Sequence, residues 1–175
     1  MKNKAINTLT YTGIVTLSQY NGHKKIKTEQ VHNAGGNSLF NFLADCLMGD
    51  FEAARLELPV KIKLLKTDID PFTNESTISS ASGFIEYAVR PERLFTDIGS
   101  ARSEICYSFI IPRDIIENAS FNSIGLYPRM ATDSESDVDS FAAYCMVEDQ
   151  ALLSSSSVLV VDWKLVIENN EKSTV

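Results

Sequence analysis

Apolar and polar residues alternate along most of this 175-residue chain with the period of two that is typical of β-strands. The clearest case is SVLVVDWKLVIEN, residues 157–169, in which Leu159, Val161, Trp163 and Leu165 share one face. Because successive side chains of a strand point to opposite faces, this segment is predicted to turn one face toward a core. Trp163 lies on that face, so we interpret it as a core residue and not as a ligand platform.

The same alternation, or an apolar run of strand length, predicts about eight strands in all. The other predicted strands are residues 8–18, 23–32, 58–65, 84–90, 103–112, 120–128 and 141–148. Asn21-Gly22 joins the first two, since both residues tolerate the positive φ of a tight hairpin turn. Residues 66–83 and 132–140 are predicted to be loops, and residues 91–102 irregular, with Pro91 ending a strand.

One segment has helical spacing instead. Between about residues 37 and 48, six apolar residues recur so that they form a stripe along one α-helix. Asn37 or Ser38 suits the N-cap position, and Gly49 suits the left-handed position after the C-terminus. The stripe is predicted to cap one end of the core. Its members are Leu39, Phe40, Phe42, Leu43, Cys46 and Leu47.

These elements lack the alternation of strands and helices that accompanies a parallel sheet. In the strand predicted at residues 58–65, Lys61 and Lys63 fall on the face opposite the core. We therefore predict a mainly β fold, an antiparallel β-sandwich or jelly-roll-like domain over residues 1–175, with one short α-helix capping the core. Residues 169–175 are expected to fray as a polar tail.

Charge and cysteine usage narrow the class of protein. The 16 basic residues face 23 acidic ones, and a net charge of −7 argues against nucleic acid as a partner. No apolar run approaches the roughly 20 residues that span a bilayer, so no membrane partner is predicted. The N-terminus lacks the apolar segment of a signal peptide, and the cysteines, Cys46, Cys106 and Cys145, form no CxxC motif. We expect a protein folded in a cytoplasm with free thiols.

Motifs for catalysis or cofactor binding are not found in the sequence. His23 and His32 lie in one short segment without ligand spacing to a cysteine, so neither metal nor cofactor is predicted. The pair Gly35-Gly36 precedes a helix but matches neither the dinucleotide nor the P-loop pattern. The basic residues of 22–27 are interpreted as a solvated hairpin flank. The sequence thus favours a protein that is not an enzyme.

One acidic segment carries the only candidate metal site. Asp133, Glu135, Asp137 and Asp139 recur at every second position and could supply oxygen ligands to calcium. The segment departs from the EF-hand pattern, with Val138 where glycine is required. A solvated loop is therefore the preferred interpretation, and weak calcium binding is the alternative.

Several stretches together resemble structural proteins of tailed-bacteriophage virions. VHNAGGNSLFNFLADCLMGD, residues 31–50, resembles a segment in which an Asn-x-Gly stretch leads into an apolar helix that ends near glycine. FNSIGLYP, FAAYCMV and LVVDWKLVIEN then resemble, in the same order, the last strands of such proteins. Residues 130–139 fall where that pattern tolerates insertions.

The resemblance implies a non-enzymatic building block of the tail, neck, collar, baseplate or fibre region. It would be present in several copies, as a ring or other homo-oligomer with other virion proteins as partners, located in the virion after assembly in the host cytoplasm. Alternatives are a capsid decoration or head fibre protein, a receptor- or carbohydrate-binding module, and an enzyme such as a depolymerase. Phe72 and Phe95 are the loop aromatics that a carbohydrate-binding module would use.

Overall fold

The computed structural model of the chain describes residues 6–35, 37–69, 73, 76–97, 102–132, 141–148 and 158–172. The fold is mainly β, as predicted, and its strands form two sheets in which every neighbouring pair is antiparallel. Three short α-helices complete the elements of the described residues.

The strands are more numerous than the eight predicted, with eleven in the described ranges. They are β1 (Ile6–Asn21), β2 (Lys24–His32), β3 (Ala34–Gly35), β4 (Pro59–Ile69), β5 (Ser76–Ser80), β6 (Ile85–Glu86), β7 (Val89–Asp97), β8 (Arg102–Ile111), β9 (Ser123–Pro128), β10 (Ala143–Met146) and β11 (Val158–Lys172). The helices are α1 (Asn37–Met48), α2 (Phe51–Glu57) and α3 (Arg113–Asn118).

The first sheet, sheet A, has the strand order β2-β1-β11-β8-β7. The second, sheet B, has the order β3-β10-β9-β4-β5, and β6 pairs with β4 beside that path. β11 lies at the centre of sheet A, and its predicted core face is confirmed: Leu159, Val161 and Trp163 are fully buried. β10 lies inside sheet B, between β3 and β9.

One cluster of buried apolar side chains draws on both sheets. It includes Val15 and Trp163 from sheet A together with Ile62 and Ile124 from sheet B. Burial of such side chains contributes roughly 1.5–3 kcal/mol each to folding, so this shared cluster is the main source of stability.

The β1–β2 hairpin and the α1 boundaries also agree with the sequence-based predictions. Gly22 has a φ of 58° in the turn, and Gly49 has a φ of 79° after α1. At that end, the Gly49 N–H donates to the Cys46 carbonyl and the Asp50 N–H donates to the Asp45 carbonyl. This pair of bonds is the Schellman arrangement, which satisfies two carbonyls at a helix end.

The predicted packing of α1 is only partly correct. Leu39 joins the core cluster and Phe42 packs against it, but Phe40 is 59% exposed and Leu47 is 85% exposed. At 100° per residue, Phe40 and Leu47 lie about 80–100° around the helix from Leu39. The apolar stripe is therefore too wide for one contact face, and its edge remains in solvent.

Other departures concern elements that the sequence pattern did not reveal. The prediction of a single helix is wrong, because α2 and α3 are also helical. The predicted loop at residues 66–83 contains the end of β4 and all of β5, a short polar strand paired with it. Pro91, predicted to end a strand, lies within β7 instead.

Proline is tolerated there for two reasons. β7 is an edge strand of sheet A, where one row of N–H groups has no neighbour in the sheet. The register also shifts between Val89 and Glu92, so the ladder is interrupted at the proline. At the other end of the chain, β11 extends into the tail that was expected to fray, and Lys172 pairs with Ile6. Residues 173–175 lie outside the described ranges.

Lys63 was predicted to lie on the face opposite the core, toward solvent. That prediction is wrong, because the side chain is buried and only 2% exposed. β4 runs between β9 and the strands β5 and β6, and the ring of Phe84 covers its second face. The Lys63 ammonium lies 4.3 Å from the centre of that ring, and the Lys61 ammonium lies 4.1 Å from it. Contact between a cation and an aromatic face offsets part of the cost of burying the charge.

Candidate interaction surface

Exposed large apolar side chains concentrate on one part of the described structure, around α1 and α2. We call this patch the helix surface. The Met130 N–H donates to the Leu56 carbonyl at 3.0 Å, which places the turn after β9 beside α2. The helix surface consists of Leu47 (85% exposed), Met48 (75%), Phe51 (71%), Leu56 (51%) and Met130 (54%).

The local sequence explains how α2 forms. The Asp50 carboxylate accepts a hydrogen bond from the Ala53 N–H at 3.1 Å, and its carbonyl accepts one from the Ala54 N–H at 3.0 Å. Asp50 is thus the N-cap, and the preceding Gly49 reverses the chain out of α1. A seven-residue helix is too short to be stable alone, so packing must hold it in place.

That packing comes from α1. The Ser38 hydroxyl donates to Glu57 Oε2 at 2.5 Å, which ties the end of α2 to the start of α1. Ala54, whose small side chain is 4% exposed, occupies the inward side of α2. The opposite side of α2 therefore faces outward.

The outward side of α2 is formed by four residues, Phe51, Glu52, Arg55 and Leu56, all of them exposed. With 100° between successive residues, these four side chains fall within an arc of about 140°. The arc carries an apolar residue at each end of the helix and an acid and a base between them. It is amphipathic in a way that suits contact with another protein surface.

An open cleft beside α2 adds a second basic group. The cleft has a volume of about 540 Å³ and is lined by Asp50, Glu52, Ala53, Arg55, Leu56 and Arg129. The Arg129 N–H donates to the Leu58 carbonyl at 2.9 Å, which places Arg129 beside the C-terminal end of α2. Within the described residues, neither Arg55 nor Arg129 takes part in an ion pair. Both guanidinium groups can therefore meet a carboxylate from outside.

Four charged side chains form a network of ion pairs on sheet A, and this network has a structural role. Arg102 lies 2.6 Å from a Glu104 oxygen and 2.5 Å from a Glu168 oxygen, and the Lys164 ammonium lies 3.3 Å from Glu104. The hydrogen bond from Arg102 holds the pKa of Glu104 below its usual range. Since these residues belong to the adjacent strands β8 and β11, the network links the two strands across their outer face.

Aromatic rings on sheet B also pack against one another. The centre of the Tyr127 ring lies 5.2 Å from that of Phe84 and 6.2 Å from that of Phe141, and Phe141 lies 5.0 Å from Tyr144. Tyr127 is fully buried, so its ring presents no face for stacking on a sugar. The cluster stabilises the sheet through edge-to-face contacts.

Buried ionisable groups occur in the core as well. Burial raises the pKa of the Cys145 thiol to about 12 and that of the Tyr107 hydroxyl to about 12. A thiol that remains protonated is a poor nucleophile, so Cys145 acts as a small apolar residue.

The structure describes only some of the candidate residues named from the sequence. Asp133, Glu135, Asp137, Asp139 and Phe72 lie outside the described ranges, so the calcium hypothesis remains a prediction. Phe95 lies in β7, where the structure does not describe side chains. His23 and His32 are exposed at opposite ends of β2. Over the described part of the chain, no three His, Cys, Asp or Glu side chains are grouped as metal ligands would be.

Sequence reasoning missed the helix surface, although a signal was present. FEAARL, residues 51–56, directly follows an Asp at an N-cap position and places its charged residues between two apolar ones. Its six residues are too few for periodicity to distinguish a helix from a connection.

Comparisons with protein-family models, with curated proteins and with solved structures find no match to the chain. Among the helices that the structure describes, none has the length and apolar character to cross a membrane.

Proposed function

We propose that the protein is a non-enzymatic structural subunit of a tailed-phage virion, used in several copies at the tail, neck or baseplate. The resemblance of residues 31–50, 121–128, 141–147 and 159–169 to virion proteins supports the class of protein. The two sheets would face each other as a β-sandwich of the jelly-roll kind, which is a common architecture for capsid and fibre modules.

The helix surface is the observation that carries the assembly role. Contiguous apolar groups that remain in solvent are costly and are typical of sites where another macromolecule binds. Phe51 and Met48 are more than two-thirds exposed in the isolated chain, at 71% and 75%. Burial of these side chains by a neighbouring subunit would remove that cost.

The edges of sheet A favour the helices over strand pairing as the means of assembly. β2 is one edge, and Lys24 and Lys25 are exposed on it. Lysines on an edge strand discourage pairing with a strand of another chain. β7, the other edge, contains Pro91 and an irregular register. A subunit in which both edges of sheet A disfavour strand pairing, and which exposes an apolar helix surface, would associate through the side chains of that surface.

Co-sedimentation tests the proposal. Lysates that produce particles are separated on a density gradient, and the protein is followed by immunoblotting through the gradient. We expect it in the particle fractions and, after disruption of the particles, with tail or neck components. A protein found only in the soluble fractions would contradict the proposal.

A further inference from the structure

The residues of α2 follow a symmetric order along the helix. This order indicates which kind of partner could cover the helix surface. From Phe51 to Leu56 the residues are apolar, acidic, small, small, basic and apolar. Reversing the direction of the helix preserves the apolar positions and exchanges the acid for the base. A helix with this pattern is complementary to an antiparallel copy of itself.

Antiparallel packing about a two-fold axis pairs residues whose numbers have a constant sum. With the axis between Ala53 and Ala54, Glu52 of one copy lies opposite Arg55 of the second, and Phe51 and Leu56 border this charged pair on either side. Each contact occurs twice, as in any isologous interface. The second copy would cover part of these two apolar side chains, which are 71% and 51% exposed in the single chain.

Residues next to α2 are also complementary to the residues that an antiparallel second copy would place opposite them. Met48 precedes the start of the helix and Met130 lies beside its end, where the Met130 N–H contacts the Leu56 carbonyl. The antiparallel arrangement therefore brings the Met48 side of one copy toward the Met130 side of the second. In the same way, Arg129 at the basic end approaches Asp50 at the acidic end.

Local charge balance makes a second copy a suitable partner. The chain carries a net charge of −7, so two copies repel each other on average. The cleft beside α2 instead combines two acids, Asp50 and Glu52, with two bases, Arg55 and Arg129. A partner with a basic face would leave the two arginines opposed by like charge, whereas a second copy pairs every one of the four groups.

We propose that two copies of this chain associate through the helix surface, with their α2 helices antiparallel about a two-fold axis. This inference rests on the proposed function in that it names the partner of the helix surface within the assembly. The contact is short, because a seven-residue helix spans about 10 Å. We therefore expect a dissociation constant in the micromolar range, as is usual for small interfaces.

Sedimentation velocity on the full chain, from about 1 to 300 µM, tests the association over that range. The unmodified chain is expected to shift from the 19.4 kDa monomer toward twice that mass. Phe51→Asp replaces an apolar side chain of the contact with a charge and is expected to raise the dissociation constant ~10-fold, as is typical of an aromatic residue in an interface. Ile69→Asp is the matched control, since Ile69 is 60% exposed at the end of β4 and should leave the association unchanged.

A charge exchange tests the antiparallel geometry itself. Glu52→Arg alone and Arg55→Glu alone each place like charges opposite each other, so each variant should associate several-fold more weakly than the unmodified chain. An equimolar mixture of the two variants restores both ion pairs and should regain the original affinity. Circular dichroism of every variant confirms that the fold is retained.

The outcomes separate this inference from the proposed function. A chain that remains monomeric throughout, or a mixture that associates no better than its components, overturns the two-fold contact. If such a chain still co-sediments with particles, the virion role stands and a different virion protein covers the helix surface. If the chain forms the dimer but is absent from particles, the virion role fails and the two-fold contact stands.

Discussion

At the scale of single residues, Gly125 in β9 shows how tightly sheet B is packed. A Cβ atom at this position would lie 2.6 Å from Cε2 of Tyr127 and 3.0 Å from Cδ1 of Leu65. Both neighbours are fully buried and cannot swing into solvent. The absence of a side chain at Gly125 therefore leaves room for the tyrosine ring.

The first prediction follows from that close approach. Gly125→Ala should lower the free energy of unfolding by about 1–3 kcal/mol, the usual cost of overpacking a core. Urea denaturation of the purified protein measures the change. Gly83→Ala is the control, because no atom lies within 4 Å of its Cβ position, and it should change the stability by less than ~0.5 kcal/mol. Equal effects from the two substitutions would contradict the packing described for Gly125.

The second prediction concerns alkaline pH. The pKa of Cys145 rises from 9.0 to about 12 and that of Tyr107 from 10.0 to about 12 in the folded chain. Between the unfolded and folded values the unfolded state holds fewer protons, so stability falls as the pH increases from about 9 toward 12. Each group contributes a slope of up to about 1.4 kcal/mol per pH unit in that window.

Denaturant titrations at a series of pH values measure this slope. Tyr107→Phe keeps the ring and removes the ionisable hydroxyl, so the variant should lose less stability than the unmodified chain above about pH 10. A pH dependence that is identical in the two proteins would show that the Tyr107 hydroxyl ionises without unfolding.

At the scale of elements, the strands that could be predicted are those in which apolar and polar residues alternate over many positions. β11 has one face in the core and was identified with the correct face. β5 was missed because its residues are mostly polar, and β7 was missed because Pro91 suggested the end of a strand. Both strands are held by pairing with a neighbouring strand, which the sequence of one segment does not reveal. The boundaries of α1 were predictable from Gly49, whereas the exposure of Leu47 depends on which face of the helix the sheets leave open.

The third prediction concerns α2, the element that sequence reasoning did not identify. Asp50→Ala removes the acceptor for the Ala53 N–H and should destabilise the helix by about 1 kcal/mol. Amide hydrogen exchange in α2, measured on dilute protein, should accelerate about five- to tenfold as a result. Asp50→Asn keeps a capping oxygen and should exchange at nearly the original rate. If both variants exchange alike, capping by Asp50 is not what holds α2 in place.

At the scale of the whole molecule, two antiparallel sheets share a core and present an exposed apolar helix surface. The mainly β class could be predicted from the sequence because period-two patterning requires no knowledge of tertiary contacts. The helix surface could not, because it is defined by the side chains that remain outside the core after folding. The proposed role in assembly depends on this surface being covered by a neighbour.

Absolute quantification of the chain in purified particles, by mass spectrometry with isotope-labelled peptides, tests that role most directly. We expect several copies per particle, retained through high-salt washing because the contacts of Phe51, Met48 and their neighbours are apolar. Particles that contain none of the chain, or lose all of it in the wash, would contradict the account.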